Sequence, residues 1–203
     1  STRGFIFISV TGANPTVANS SVTINDGLWH HWAICRSGST SYLFKDGTAL
    51  SKTTDTLSTT SITGGTTFSV GAEFDGASTF YFNGSISNLR VVKGTALYTA
   101  SFTPSTTPLT AVSGTSLLTC QSNQPVANNT FLDNSTNDFA ITRAGNTTQG
   151  TFSPYGASWS NYYNGSTDYI TAPNNTVFDF GSGDFTLECW VYPTSVPSEE
   201  HVY

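Results

Sequence analysis

The sequence has few charged residues and no long apolar run. Only 10% of its 203 residues are Asp, Glu, Lys or Arg, and the formal net charge is −6. Nucleic acids and anionic membrane surfaces attract basic patches, so neither is a good partner for this chain. No apolar stretch approaches the length that crosses a bilayer. We therefore expect no nucleic acid partner and no membrane insertion.

Cysteine is scarce and methionine is absent. Cys35, Cys120 and Cys189 are too few and too widely spaced for a disulfide framework or a zinc site. All three fall in segments patterned like strands, so we expect buried free thiols. The lack of methionine leads us to expect that an initiator preceded Ser1 or that the sequence is a piece of a longer chain.

Most of the sequence consists of short apolar runs separated by Gly, Ser, Thr and Asn. No window shows the apolar period of 3.6 residues that is typical of an amphipathic helix. Residues 28–47 form the clearest unit, which reads as strand, turn, strand and a second turn at Asp46-Gly47. Trp32 and Ile34 share one face of its first strand. The pattern predicts an all-β protein built as a two-sheet antiparallel sandwich.

Three polar residues of the predicted strands need partners. His30 and His31 are successive residues of one strand, so they point to opposite faces and do not act as a pair. We expect them to be hydrogen-bonded within the protein. Glu188 is the only acid on the strand predicted for residues 185–192. Because a half-buried carboxylate needs a partner, we expect it to pair with Arg90 or His31.

Several motifs resemble a known family. Residues 27–33, 42–47 and 82–91 resemble the second half of a concanavalin A-like, laminin-G-type jelly roll, and residues 163–170 and 183–191 resemble the first half. The resemblance implies a jelly-roll sandwich in permuted order. The composition is also similar to that of bacteriophage tail-fibre and virion surface proteins. The resemblance thus implies a virion or extracellular surface location, with a cell-surface glycan or other virion proteins as partners.

The order of the two halves leaves three arrangements open. Residues 1–109 hold the second-half segment, and residues 110–203 hold the first-half segment. The two pack together as one composite domain, belong to two tandem domains, or exchange between chains in a homo-oligomer. We favour the composite domain, because half a sandwich leaves an apolar face and open edges exposed. The strand at residues 28–36 should then pair with 185–192 or 86–92.

Two sets of residues are candidates for ligand and ion binding. Sugar binding calls for aromatic rings with amide and carboxylate groups at a loop rim, and the residues of that chemistry are Trp159, Tyr162, Asn161, Tyr81 and Asp75. Calcium is the most plausible ion, because related jelly rolls often bind it through loop carboxylates. Glu73, Asp75 and Asp168 are its candidate ligands, and the alternative is that the aspartates are turn residues.

We expect the protein not to be an enzyme and name no catalytic residue. Glycosidases of this fold use two or three carboxylates that alternate along one strand, and no predicted strand has that repeat. The expected function is a non-catalytic adhesion or carbohydrate-recognition module of a phage or virion fibre protein. The alternative is a structural or decoration repeat that assembles a virion, fibre or filament without its own ligand.

Overall fold

The structure is a computed structural model that describes residues 4–7, 16–19, 22, 24–63, 67–75, 78–121, 131–156 and 159–195. These residues form strands and one 3₁₀ turn at Thr176–Phe178, with no α-helix among them. In the first segment the strands are β1 Gly4–Phe7, β2 Thr16–Asn19, β3 His30–Ser37, β4 Thr40–Lys45, β5 Thr48–Ala49, β6 Thr54–Asp55, β7 Thr67–Val70, β8 Ala72–Asp75, β9 Ser78–Tyr81 and β10 Asn83–Lys93. In the second they are β11 Thr115–Thr119, β12 Thr142–Ala144, β13 Thr148–Gly150, β14 Ser160–Asn164, β15 Tyr169–Pro173 and β16 Phe185–Pro193. Among the described residues, no helix is long and apolar enough to cross a membrane.

An eight-stranded antiparallel sheet dominates the structure. Its strand order is β13-β14-β10-β16-β3-β4-β5, and β11 also pairs with β10. Strand β16, which lies in the second segment, is placed between β3 and β10 of the first, with Trp190 opposite both His31 and Ser87. The predicted pairing of residues 28–36 with 185–192 is therefore confirmed. The boundary between the segments at residue 109 stays a prediction.

A second layer covers one face of this sheet. It is a three-stranded sheet in the order β12-β15-β7. Ile34, Ile86 and Val191 of the large sheet share one apolar cluster with Val70 and Ile170 of the small sheet. Burying these side chains between the layers supplies the main driving force for the fold. We call this side of the large sheet its core face and the opposite side its outer face. The all-β, antiparallel prediction is confirmed.

A bulge in β10 changes which residues reach the outer face. The register with β16 shifts between Ser87 and Arg90, and Asn88 there adopts a φ of 53°. The extra residue restarts the alternation, so Leu89 enters the core and Arg90 turns outward. The side chain of Asn88 stabilises the bulge, because its Oδ1 accepts the backbone N–H of Leu109 at 2.8 Å.

One buried cation joins the two segments on the core face. Arg36 is 1% exposed, and its guanidinium donates hydrogen bonds to backbone carbonyls in both segments of the chain. Within the first segment these belong to Leu57 (3.3 Å) and Thr60 (2.7 Å), and within the second to Gly181 (2.5 Å) and Gly183 (2.8 Å). A guanidinium suits this role because its donors are spread around a rigid plane.

Replacing Arg36 with Met should lower the free energy of unfolding by about 3 kcal/mol, because the carbonyls of Leu57, Thr60, Gly181 and Gly183 would each lose the hydrogen bond from the buried guanidinium. Urea denaturation measures the loss. Arg143 is half-buried and reaches the carbonyl of Thr147 at 3.4 Å, so R143M is a matched control, expected to cost less than about 1 kcal/mol. Equal losses in the two variants would contradict the assigned role of Arg36.

Candidate functional site

The outer face of the large sheet has a covered half and an open half. Along β16 the outward side chains are Thr186, Glu188, Trp190 and Tyr192, since Phe185, Leu187, Cys189 and Val191 point to the core. Residues 95–110 pass over the half that contains Thr186 and Glu188. The other half carries aromatic rings.

A buried charge cluster lies in the covered half. Glu188 is 0% exposed, and its Oε2 accepts hydrogen bonds from His31 Nε2 at 3.1 Å and from the Tyr98 hydroxyl at 3.0 Å. Its Oε1 accepts from Arg90 Nε at 2.8 Å and Nη2 at 2.5 Å. The prediction that Glu188 pairs with Arg90 or His31 is confirmed, and the structure shows both pairs.

The partners of Glu188 keep it ionised. Burial by itself would raise the pKa of this carboxyl, but the hydrogen bonds and positive charge of His31 and Arg90 outweigh burial and hold the pKa below its ordinary value. Burial and the nearby Glu188 charge raise the pKa of the Tyr98 hydroxyl, so that group stays a neutral donor. The cluster is closed to solvent, with every oxygen of the carboxylate engaged.

The open half presents four aromatic side chains and one leucine that we call the aromatic surface: Leu28, Trp29, Phe152, Tyr162 and Tyr192. The Trp29 ring lies 5.3 Å from Phe152 and 5.7 Å from Tyr192, and Phe152 lies 4.8 Å from Tyr192, between centroids. Phe152 is 53% exposed, Tyr162 43% and Leu28 59%. Tyr162 extends the surface, because it and Tyr192 flank the same residue, Ser85.

This surface has polar groups as well as apolar rings. The indole Nε1 of Trp29 is buried and has no hydrogen-bond partner among the described residues. Tyr162 and Tyr192 add phenolic hydroxyls that can donate or accept. A surface of this kind can stack on an apolar face of a ligand and hydrogen-bond to its edge.

His30 links the loop before β3 to the turn after β4. Its Nδ1 lies 2.6 Å from Asp46 Oδ2, and its Nε2 lies 2.9 Å from both oxygens of Asp26. Burial would raise the pKa of Asp26, but the hydrogen bond and charge of His30 outweigh that effect and lower it. His30 and His31 point to opposite faces and both are hydrogen-bonded, as predicted.

Comparison with known families gives a match for the first half of the chain. Residues 1–100 match the family model of the concanavalin A-like lectin/glucanases superfamily. The match agrees with the all-β antiparallel architecture and with the predicted concanavalin A-like sandwich. Comparison with curated proteins and with solved structures returned no match. Because the name of the superfamily covers both lectins and glucanases, the match does not distinguish a carbohydrate-binding protein from an enzyme.

The five residues predicted for sugar binding are not all brought together by this all-β fold. Tyr162 belongs to the aromatic surface, whereas Asn161 is 1% exposed and faces the core, with Nδ2 3.3 Å from Cys120 Sγ. Asn161 therefore does not share a face with Tyr162, because successive strand residues point to opposite faces. Trp159 is half-buried just before β14, and its backbone carbonyl accepts the Ser87 hydroxyl at 2.7 Å.

The other two predicted residues lie on the β8–β9 hairpin. The Tyr81 ring is near Tyr169, with centroids 6.4 Å apart, and Asp75 ends β8. The side chain of Asp75 lies outside the part of the structure that is described. Sequence reasoning missed Trp29, Phe152 and Tyr192. The alternation along β16 already placed Tyr192 on the outer face, but the partnership of Trp29 with Phe152 joins residues that are distant in the chain.

Asp168, one of the proposed calcium ligands, has another role in the structure. Asp168 is 1% exposed, and its Oδ1 accepts the backbone N–H of Asn146 at 2.7 Å and the Thr167 hydroxyl at 3.1 Å. This arrangement favours the turn role over the metal role. Glu73 is 6% exposed on β8. Within the described residues, no three His, Cys, Asp or Glu side chains are grouped as metal ligands.

The remaining candidates are less suited to binding. The three cysteines are free and buried, as predicted, and burial raises the pKa of Cys35 to about 11 and that of Cys120 to about 12. An open depression of about 610 Å³ lies beside residues 111–116. Its polar side chains already serve the fold, since Lys93 donates to the carbonyl of Thr176 and Asn137 to that of Ser116.

Replacing Glu188 with Ala should cost about 3 kcal/mol of unfolding free energy at neutral pH, because Arg90 would remain buried without its counter-ion and His31 without its hydrogen-bond acceptor. Because folding lowers the pKa of Glu188, its contribution is present above the unfolded pKa, about 4, and is lost as the pH falls through the folded value. Urea denaturation at neutral and acidic pH should therefore show a steeper acid loss for the wild type than for E188Q. Identical pH dependence of the two proteins would contradict this role.

Proposed function

We propose that this chain is a non-catalytic carbohydrate-recognition module of a phage, virion or other extracellular surface protein, used for adhesion to a cell-surface glycan. The observation that carries the proposal is the aromatic surface on the open half of the outer face. Exposed rings this close together are costly to leave in water, and sugar rings have apolar faces that can cover them. The phenolic hydroxyls of Tyr162 and Tyr192 supply hydrogen-bonding partners for the sugar hydroxyls.

The spacing of the rings favours a linear glycan over a single terminal sugar. Tyr162 on β14 and Tyr192 on β16 are separated by β10. Neighbouring strands lie about 4.8 Å apart, so the two tyrosines are roughly 10 Å apart across the sheet. One sugar ring does not span that distance, whereas several linked sugars do. Phe152 is 53% exposed, so an extended ligand can reach it.

The charge distribution supports binding without catalysis. Among the outward residues of β3, β10 and β16, Glu188 is the one carboxylate, and it is buried under residues 95–110. Glycoside hydrolysis needs two carboxyl groups that flank a bound sugar. Glu188 offers neither access nor a second acid, because its oxygens are committed to His31, Arg90 and Tyr98.

A structural or decoration role is the second candidate. Leu28 is the most exposed large apolar side chain of the surface, at 59%, and an aliphatic side chain suits protein packing better than sugar stacking. In that case the aromatic surface would contact another virion protein or a neighbouring domain. The Ser-, Thr- and Asn-rich composition supports an external location under both proposals.

Replacing Phe152 with Ala should weaken glycan affinity about tenfold, because the variant loses the most exposed ring of the surface. Affinity electrophoresis in gels that contain soluble β-glucan, xylan, mannan or galactan, with and without calcium, measures the effect. F74A is the matched control. Phe74 lies on β8, outside the aromatic surface, where it is 47% exposed and packs against Tyr169 of β15. Its loss should therefore leave retardation unchanged.

The same gels separate the two proposed functions. Retardation by at least one polysaccharide, reduced in F152A but not in F74A, supports recognition through the aromatic surface. Free migration in every gel would contradict carbohydrate recognition and favour the structural role. Release of reducing ends from a retarding polysaccharide would overturn the non-catalytic part of the proposal.

A further inference from the structure

We propose that His30 is a positioning residue that holds the aromatic surface in place as an imidazolium, clamped between two carboxylates. The clamp joins Asp26, in the loop at residues 24–29, to Asp46, in the turn between β4 and β5. The His30 side chain is 11% exposed, and the side chains of Asp26 and Asp46 are 34% and 44% exposed. Any effect of this clamp on glycan binding rests on the proposed function, whereas the contacts of His30 with the two aspartates do not.

The geometry requires two protons on the ring. Both ring nitrogens of His30 face carboxylate oxygens, at 2.6 Å on the Asp46 side and 2.9 Å on the Asp26 side. An ionised carboxylate accepts hydrogen bonds and cannot donate one. A neutral imidazole has a single N–H, so one of its nitrogens would turn a lone pair toward an oxygen. The imidazolium satisfies both contacts and adds two charge-assisted hydrogen bonds.

The loop side of the clamp leads directly to the rings. Asp26 Oδ1 also accepts the backbone N–H of Leu28 at 3.2 Å, which folds the loop back on itself. Gly27 there has a φ of 74°, and a side chain at that position would lie 3.9 Å from the Tyr192 hydroxyl. Trp29 follows and packs against Phe152 and Tyr192. The conformation of this loop therefore fixes the positions of Leu28 and Trp29.

The turn side of the clamp is anchored to the large sheet. Asp46 Oδ1 accepts the backbone N–H of His31 at 2.9 Å, and its own N–H donates to the His31 carbonyl at 2.7 Å. These bonds make Asp46 a fixed point from which His30 restrains the loop. Lys45 is the further charged group near this site and acts on Asp26 through its positive charge.

The clamp holds over a limited pH range. On the acid side, folding lowers the pKa of Asp26, so its contribution is present above the unfolded pKa and is lost as the pH falls through the folded value. On the alkaline side, loss of the ring proton leaves one contact without a hydrogen.

The test uses the full chain without ligand. Acrylamide quenching of Trp29 fluorescence, obtained as the difference between each protein and its W29F counterpart, reports how well the loop is held. We expect the quenching constant of Trp29 to rise about twofold between about pH 6 and about pH 9 in the wild type. In H30Q it should be high at both pH values, because the clamp is absent. H201Q, which removes a histidine elsewhere in the sequence, should follow the wild type.

A second variant separates the proton requirement from a merely structural contact. In D26N the new amide can donate to a neutral imidazole while its oxygen still accepts from Leu28. D26N should therefore keep Trp29 protected at about pH 9, where the wild type does not. Long-range ¹⁵N spectra of the wild type should show His30 protonated on both nitrogens at about pH 6.

Three results would overturn the proposal: Trp29 quenching that is independent of pH in the wild type, the same pH-dependent rise in H30Q, or a neutral His30 ring at acid pH. Because none of these readouts uses a glycan, they stand whether or not a polysaccharide binds. If binding is found, its alkaline loss in the wild type and its retention in D26N connect the clamp to recognition. A binding profile shared by wild type and D26N would break that connection.

Discussion

Strand β16 has pairing partners on both edges and different environments on its two faces, and the other features of the molecule follow from that position. Its edges bond to β10 and β3, which lie in the opposite segment of the chain. Phe185, Leu187 and Val191 enter the core on one face. On the other face, Glu188 takes part in the charge cluster and Tyr192 in the aromatic surface. A shift of one residue in register would exchange these two sets, so the register is strongly specified.

Buried polar groups on both faces of the large sheet favour the same docking of the two chain segments. On the core face, Arg36 reaches the carbonyls of Gly181 and Gly183. On the outer face, Glu188 of the second segment reaches Arg90 and His31 of the first. Each group is too costly to bury alone, so each contact penalises a docking of the segments that leaves it unmade. Apolar burial drives the segments together, and these polar contacts choose how they meet.

The two halves of the outer face differ because only one is covered by the chain itself. Tyr98 and Phe102 stack with ring centroids 3.6 Å apart and close over Phe44 and the charge cluster. No comparable segment among the described residues covers Phe152, which remains 53% exposed. The exposed rings are held by the packing of Trp29, Phe152 and Tyr192 and by the carboxylates on either side of His30. A surface that is rigid before it meets a ligand loses less entropy on binding.

Local features of the sequence determined the strands, the turn at Asp46-Gly47, the buried cysteines and the need of Glu188 for Arg90 or His31. Each depends on alternation, turn chemistry or the cost of burying a charge, which neighbouring residues are enough to reveal. The tertiary structure alone decided that Asn161 faces the core, that Asp168 stabilises a turn and that Phe152 meets Trp29. It also decided that His30 lies between Asp26 and Asp46. These are contacts between elements set by sheet register and loop paths, and no periodicity in one stretch of sequence encodes the position of another.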